Sequence, residues 1–313
     1  MDTKMEIRKR KRDKFLSQLP LHLMLLIPVT IVIIYNYLPM VGLWMAFTRY
    51  IPTLDGFWRS LWRAEFIGLD VFRLAFRLPT TGQVFFNTVF ISVMKIISML
   101  IFPLIFALML NEVRKIWFKK AVQTVTFIPF FLSWVILAGI FLDVFNPRDG
   151  VVNQMLGWFG VGPIFFFGEA SLFPFMMVIT EIWKNIGFNT IIILAAIAGI
   201  DPSMYEAAVI DGAGHMKQAR YITIPSVIPM MVLLAILSLG NILNAGFEQV
   251  FNFYSPAVFS SGDIIDTLVF RTGLQDGNFS LATAIGLLRS VISLALISLS
   301  YLIANKFSNY RVF

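Results

Sequence analysis

The chain has 313 residues, 58% of them apolar and 14% charged, with 32 Phe, no cysteine and a mean hydropathy of +0.79. Soluble domains carry about 25% charged residues, so the composition excludes an ordinary soluble protein, and the lack of cysteine excludes disulfides and thiolate metal sites. The net charge of +7 does not mark a nucleic-acid binder, because seven of the 25 basic residues (Lys4, the run Arg8 to Arg12, and Lys14) crowd just before the first apolar run, as on the cytoplasmic flank of a membrane span.

In chain order, residues 19–46 form a first span with proline kinks at Pro28 and Pro39 and an interfacial set of Tyr35, Tyr37 and Trp44. The apolar core is too long for a cleaved secretory signal, so it reads as a retained anchor. Residues 47–82 interleave Arg49, Arg59, Arg63, Arg73 and Arg77 with Trp58, Trp62, Phe66, Phe72 and Phe76. That mixture predicts amphipathic segments on the outer interface. Residues 84–110 are the second span, 121–144 the third, 172–200 the fourth, 227–247 the fifth and 281–304 the sixth. The expected fold is an all-α integral membrane protein of six transmembrane helices with both ends inside.

The charges agree in direction with that topology: 15 Lys and Arg fall in the segments assigned inside, 7 in the outer loops and three within spans. The division expected is a basic tail (1–18), the first helix (19–46), the outer amphipathic loop (47–82), a core of the remaining spans (83–305) and a short tail (306–313).

The connector over residues 201–225 is longer than a simple turn between spans requires. Asp201 and Pro202 signal a helix start, reinforced by Ser203 and Glu206 in capping-box spacing, and Gly212 and Gly214 signal its end. A first short helix is predicted over 202–211 and a second over 215–221, joined at a glycine turn. Ala207 and Ala208 give the first a low surface that a partner can approach closely. The physics alone leaves a docking knob and a solvated loop both open.

Glu206-Ala207-Ala208, then Asp211-Gly212-Ala213, then Ile222-x-Ile224-Pro225 resembles the Glu-Ala-Ala loop of membrane subunits of ATP-binding-cassette importers. Phe66 to Asp70, Asn87-Thr88, the run Gly240 to Gln249, Asp263 to Thr267 and Ala284 to Leu288 resemble the oligosaccharide and polysaccharide permeases of the maltose-type branch. The resemblance implies the type I importer permease fold. It also implies coupling to an ATPase through Glu206, Ala207, Ala208, Asp211, Gly212, Ala213 and Pro225. The implied partners are a second permease, commonly a different chain, two ATPase subunits that hold ATP and magnesium, and an extracytoplasmic solute-binding protein that delivers an oligosaccharide. Membrane lipid surrounds the assembly. The chain contains no Gly-Lys dipeptide and so no phosphate loop of its own.

Charges within spans are costly and point to function. Glu181 and Lys184 are spaced to pair on one face of the fourth span, with Trp183, Asn185 and Asn189 nearby. Asn241, Asn244 and Glu248 follow on the fifth. Amides, carboxylates and tryptophan suit the hydroxyls and ring faces of sugars, and they serve equally well as polar contacts between helices. Lys95 and Arg289 are open to an anionic sugar or to acids of a partner subunit. An ion-coupled secondary transporter using Glu181 and Lys184 is the competing class, but it is expected to show internal repeats, and none is visible.

Overall fold

The computed structural model describes residues 18–240 and 242–308, with side chains as far as Leu302. The basic tail, Asn241 and the Arg311 end lie outside the described residues, as does the Lys306 side chain. Helix α1 runs Gln18–Phe47. A two-residue strand β1 (Thr48–Arg49), α2 (Phe57–Arg63), strand β2 (Glu65–Phe66) and α3 (Asp70–Arg77) follow. Then come α4 (Pro79–Asn111), α5 (Ile116–Phe131), α6 (Trp134–Val144), α7 (Val151–Trp158), α8 (Phe173–Ala198) and α9 (Pro202–Ile210). The remainder is α10 (His215–Leu239), α11 (Phe247–Phe253), α12 (Phe259–Gly262), α13 (Ile265–Phe270) and α14 (Phe279–Ser308).

Five of these, α1, α4, α8, α10 and α14, are long and apolar enough to cross a membrane, and α5 with α6 makes a sixth when counted as one bent span. The apolar side chains exposed along them, such as Ile97, Ile101, Ile105 and Met109 on α4, suit a lipid solvent.

Helix α4 carries the architecture. At 33 residues it is about 50 Å long, and it meets a different partner at each level. Near its start Asn87 donates to the carbonyls of Ser260 and Asp263 at 3.2 Å, and the amide of Ile265 donates to Thr88 Oγ1 at 2.9 Å. These bonds seat α12 and α13 on the bundle. One turn on, Ile91 joins a core of Phe173, Met176, Met177, Phe253 and Ile264. At the far end Ala107 packs with Ile193 and Ile197 of α8 and Val227 of α10.

In the stretch after α1, α3 is amphipathic. Val71 and Ala75 of α3 are buried, whereas Arg73 and Arg77 are exposed. The short β1–β2 ladder, with Thr48 opposite Phe66, is pinned to the start of α14. There Ser280 Oγ accepts from the Tyr50 amide at 2.9 Å and donates to the Thr48 carbonyl at 2.7 Å.

Three expectations need correction. The third span is not one rod: it breaks between Phe131 and Trp134 with a 107° bend. Pro129 sits in a tight 3₁₀ turn there, and Ser133 caps the new helix by accepting from the Ile136 amide at 3.4 Å. The second short helix of the connector is not separate either. His215 onward continues into the fifth span through a π turn at Ala219–Thr223, which accommodates the missing donor and the ring of Pro225. Third, Ser203 and Glu206 do not form the cap. Asp201 is the N-cap residue, and its Oδ1 accepts from the Ser203 amide at 2.9 Å.

Candidate functional site

Halfway along α4 lies a polar cavity of about 310 Å³ between α4, α8 and the segment that follows α10. Ser92, Lys95 and Met99 of α4, Glu181, Asn185 and Asn189 of α8, and Ser238, Asn244, Ala245 and Gly246 line it. The fifth span, expected to run to 247, ends at Leu239, and residues 240 and 242–246 are non-helical before α11 begins at Phe247. Gly246 adopts φ +89°, and a Cβ there would sit 3.1 Å from Lys95 Nζ. Only glycine fits this backbone conformation beside an ammonium group.

Lys95 is buried, and all three of its donors are used: the Ala245 carbonyl at 2.7 Å, Gln249 Oε1, and Glu181 Oε2 at 3.3 Å. The other oxygen of Glu181 accepts from Asn185 Nδ2 at 2.7 Å. Gln249, fully buried, donates onward to the Met177 carbonyl at 2.8 Å and to Thr180 Oγ1 at 2.7 Å. The network thus ties α4, α8 and α11 around the cavity. Ser92 Oγ is the one buried side-chain polar atom among the described residues without a hydrogen-bond partner.

The residues expected to line a substrate route separate into two groups. Glu181, Asn185, Asn189 and Asn244 meet at the cavity. Trp183, Lys184, Glu248 and Arg289 do not line it. Trp183 is exposed and edge-on to Phe141 at 5.3 Å, and Glu248 is exposed in the first turn of α11.

The expected pair of Glu181 with Lys184 is absent. Lys184 turns to the break in the third span, donating to the carbonyls of Pro129 at 3.5 Å, Phe130 at 3.0 Å and Leu132. Arg289 pairs with Asp266 of this same chain and donates through Nε to the Leu243 carbonyl at 3.0 Å. Burial pushes the Asp266 carboxyl up against the opposing pull of that guanidinium. A neighbouring pair, Arg271 with Asp263, is shared with Thr267 Oγ1, which donates to Asp263 Oδ1 at 2.8 Å.

Sequence reasoning left Ser92, Gln249 and Ser238 out of the site. A faint signal was present in Ser92, Lys95 and Met99, which repeat at helical spacing along one face of α4.

The second candidate region is the connector. Helix α9 buries none of its residues, and Met204, Val209 and Ile210 are exposed beside Glu206 and Ala207. Its end is a Schellman turn: the Ala213 amide donates to the Ala208 carbonyl at 2.8 Å and the Gly212 amide to Val209 at 3.0 Å, with Gly212 at φ +76°. Asp211 is exposed at the C-cap, and Pro225 lies in the first turn after the π segment. Tyr205 Oη meets Thr223 Oγ1 at 2.9 Å, and His215 Nδ1 lies 3.0 Å from Glu112 at the end of α4. Tyr205 therefore fastens α9 to α10, and His215 fastens the start of α10 to the end of α4. The Ser203 amide bound to Asp201 holds that carboxyl below the usual aspartate range.

A family model described as the binding-protein-dependent transport system inner membrane component matches residues 99–312. The chain belongs to this family. Protein LplB of Bacillus subtilis (strain 168) is 38% identical over 303 residues, which cover 97% of this chain and 92% of the relative. The polygalacturonan/rhamnogalacturonan transport system permease protein YteP of the same organism is 35% identical over 310 residues, covering 99% and 95%. Among solved structures, a chain of the bacterial alginate ABC transporter in complex with alginate pentasaccharide-bound periplasmic protein superposes with a TM-score of 0.85. It is 33% identical and covers 96% of this chain and 99% of its own length. The protein is accordingly a membrane-spanning permease subunit of an ATP-binding-cassette importer and not an enzyme; it works with separate ATPase subunits and a binding protein.

Proposed function

We propose that the permease carries an oligosaccharide or polysaccharide fragment through the cavity between α4, α8 and the broken fifth span, as one half of a heterodimer. The cavity itself carries the reading. Its polar lining, the unpartnered Ser92 hydroxyl with the Asn185, Asn189 and Asn244 amides, matches sugar hydroxyls in kind. At about 310 Å³ it lies at the small end of ligand sites, which run from ~300 to ~1,000 Å³, in keeping with a site completed by a partner permease. Relatives named for polygalacturonan, rhamnogalacturonan and alginate transport favour a uronate-containing substrate.

The α9 knob docks on the ATPase. Its exposed apolar side chains beside Glu206 give a partner a surface to grip, and its fastening to α10, which His215 ties in turn to α4, passes movement to the two helices that flank the cavity. Both termini and the 201–225 connector lie in the cytoplasm, and ATP with magnesium is held by the partner ATPases.

Proteoliposomes containing this chain, its partner permease and the ATPases test the reading. Uptake of an oligogalacturonide that requires ATP and the external binding protein is the expected outcome. Uptake driven by an ion gradient without ATP overturns it.

A further inference from the structure

Three basic residues, Lys95, Lys184 and Arg289, lie deep within the spans and away from their ends, and all three do the same thing. Each donates to backbone carbonyls at a place where a helix breaks. Lys184 of α8 serves Pro129, Phe130 and Leu132 at the 107° bend of the third span. Lys95 of α4 serves Ala245, and Arg289 of α14 serves Leu243, both in the gap after α10.

A broken helix in lipid leaves carbonyls without partners, and each such group is costly away from water. The end of a helix also carries partial negative charge, so a cation is the matching donor. Two of the three cations are neutralised from elsewhere, Lys95 by Glu181 and Arg289 by Asp266. Their bonds to the backbone are therefore not a by-product of charge pairing. Leu243 and Ala245, whose carbonyls are held, are buried at 1% and 0% exposure, while Asn244 between them is exposed at the cavity.

We propose that Lys95 and Arg289 are positioning residues: they clamp the gap in the fifth span from opposite sides so that Asn244 faces the cavity, and Lys184 is the equivalent clamp at the third-span bend. On this assignment Arg289 serves the backbone rather than the substrate. The functional consequence rests on the cavity being the substrate route, but the clamp itself can be read without any substrate.

The chain has no native cysteine, so Leu243→Cys provides a single reporter inside the gap. In the assembled transporter in nanodiscs, its labelling by N-ethylmaleimide is expected to be slow with Arg289 present and at least about tenfold faster in Arg289→Met. Asp266→Asn keeps the donor to Leu243, so labelling should stay slow. The double variant Arg289→Met with Asp266→Asn, which removes both charges, should label as fast as Arg289→Met alone.

If the double variant returns to the slow rate, or if Asp266→Asn labels as fast as Arg289→Met, the ion pair rather than the carbonyl bond holds the gap, and the proposal is wrong. Should Arg289→Met fail to assemble because Asp266 is left unpaired, the double variant, which leaves no uncompensated charge, carries the comparison against the parent and Asp266→Asn. In uptake assays with an oligogalacturonide, the assembled Arg289 variant should raise KM more than it lowers the maximal rate. An absence of oligogalacturonide uptake by the unmodified transporter would count against the substrate reading alone and leave the labelling result standing.

Discussion

The Lys95 ammonium of α4 stands 3.3 Å from the Glu181 carboxylate of α8, across the cavity and not along one helix. Breaking a buried pair by removing one partner costs about 3–5 kcal/mol because the other charge is left uncompensated. Lys95→Met also strips donors from Gln249 and Ala245. It should therefore lower the thermal midpoint of the purified complex more than Glu181→Gln does, since the latter leaves both of those bonds in place. Equal midpoints for the two variants would show that the pair alone matters.

Much of the fold was legible because a hydrocarbon solvent imposes long apolar runs, and the six runs stand out in the sequence. The breaks were not. Across residues 128–136 the run is apolar apart from Ser133, and the carbonyls at the bend are met by Lys184 arriving from another helix. Pro225 reads as a stop, but a π turn carries the helix past it. Glu181 and Lys184 have the spacing of an intrahelical pair, and the structure shows stronger claims on both: Lys95 from α4 and the carbonyls of α5. In the site, the α8 amides were found from polarity alone, whereas Ser92 was missed because a single short hydroxyl side chain in a span carries little polarity signal.

Gly246 makes the close approach to Lys95 feasible. It holds φ +89°, and a methyl group added there would lie 3.1 Å from the ammonium, so Gly246→Ala meets both backbone strain and a displaced lysine. Strain of this kind costs on the order of 1–3 kcal/mol. The variant should insert normally yet transport at least several-fold more slowly, measured as uptake per assembled transporter. Undiminished uptake would mean that the gap tolerates a relaxed backbone.

Asp201 yields a pH prediction. Its carboxyl titrates below the usual aspartate range because the ionised form accepts from the Ser203 amide. The sign follows from linkage: a depressed folded value contributes stability that is present above the unfolded value near ~3.9 and is lost as pH falls through the folded one. Between about pH 5.5 and pH 8 the cap should be constant, so the ratio of stimulated ATPase rates between the parent and Asp201→Asn should stay flat, Asn being a comparable N-cap. Asp201→Ala should lower the rate at every pH. A ratio that drifts across that window would assign Asp201 a role beyond capping.

The Schellman turn gives the sharpest test of coupling. Gly212 holds φ +76° and carries no side chain into the turn that ends α9. An L-residue in that conformation costs roughly 1–2 kcal/mol, enough to loosen the knob without disturbing the spans, because α9 buries nothing in the bundle. Gly212→Ala should leave membrane insertion and the thermal midpoint of the bundle near those of the parent while reducing ATP-driven uptake. Glu206→Ala, which changes only an exposed side chain, should do the same by weakening the grip of the ATPase. The two effects differ in kind: the Glu206 variant should co-purify with less ATPase, whereas the Gly212 variant should retain the ATPase but transmit its stroke poorly. Normal uptake in both variants would remove the connector from the coupling route.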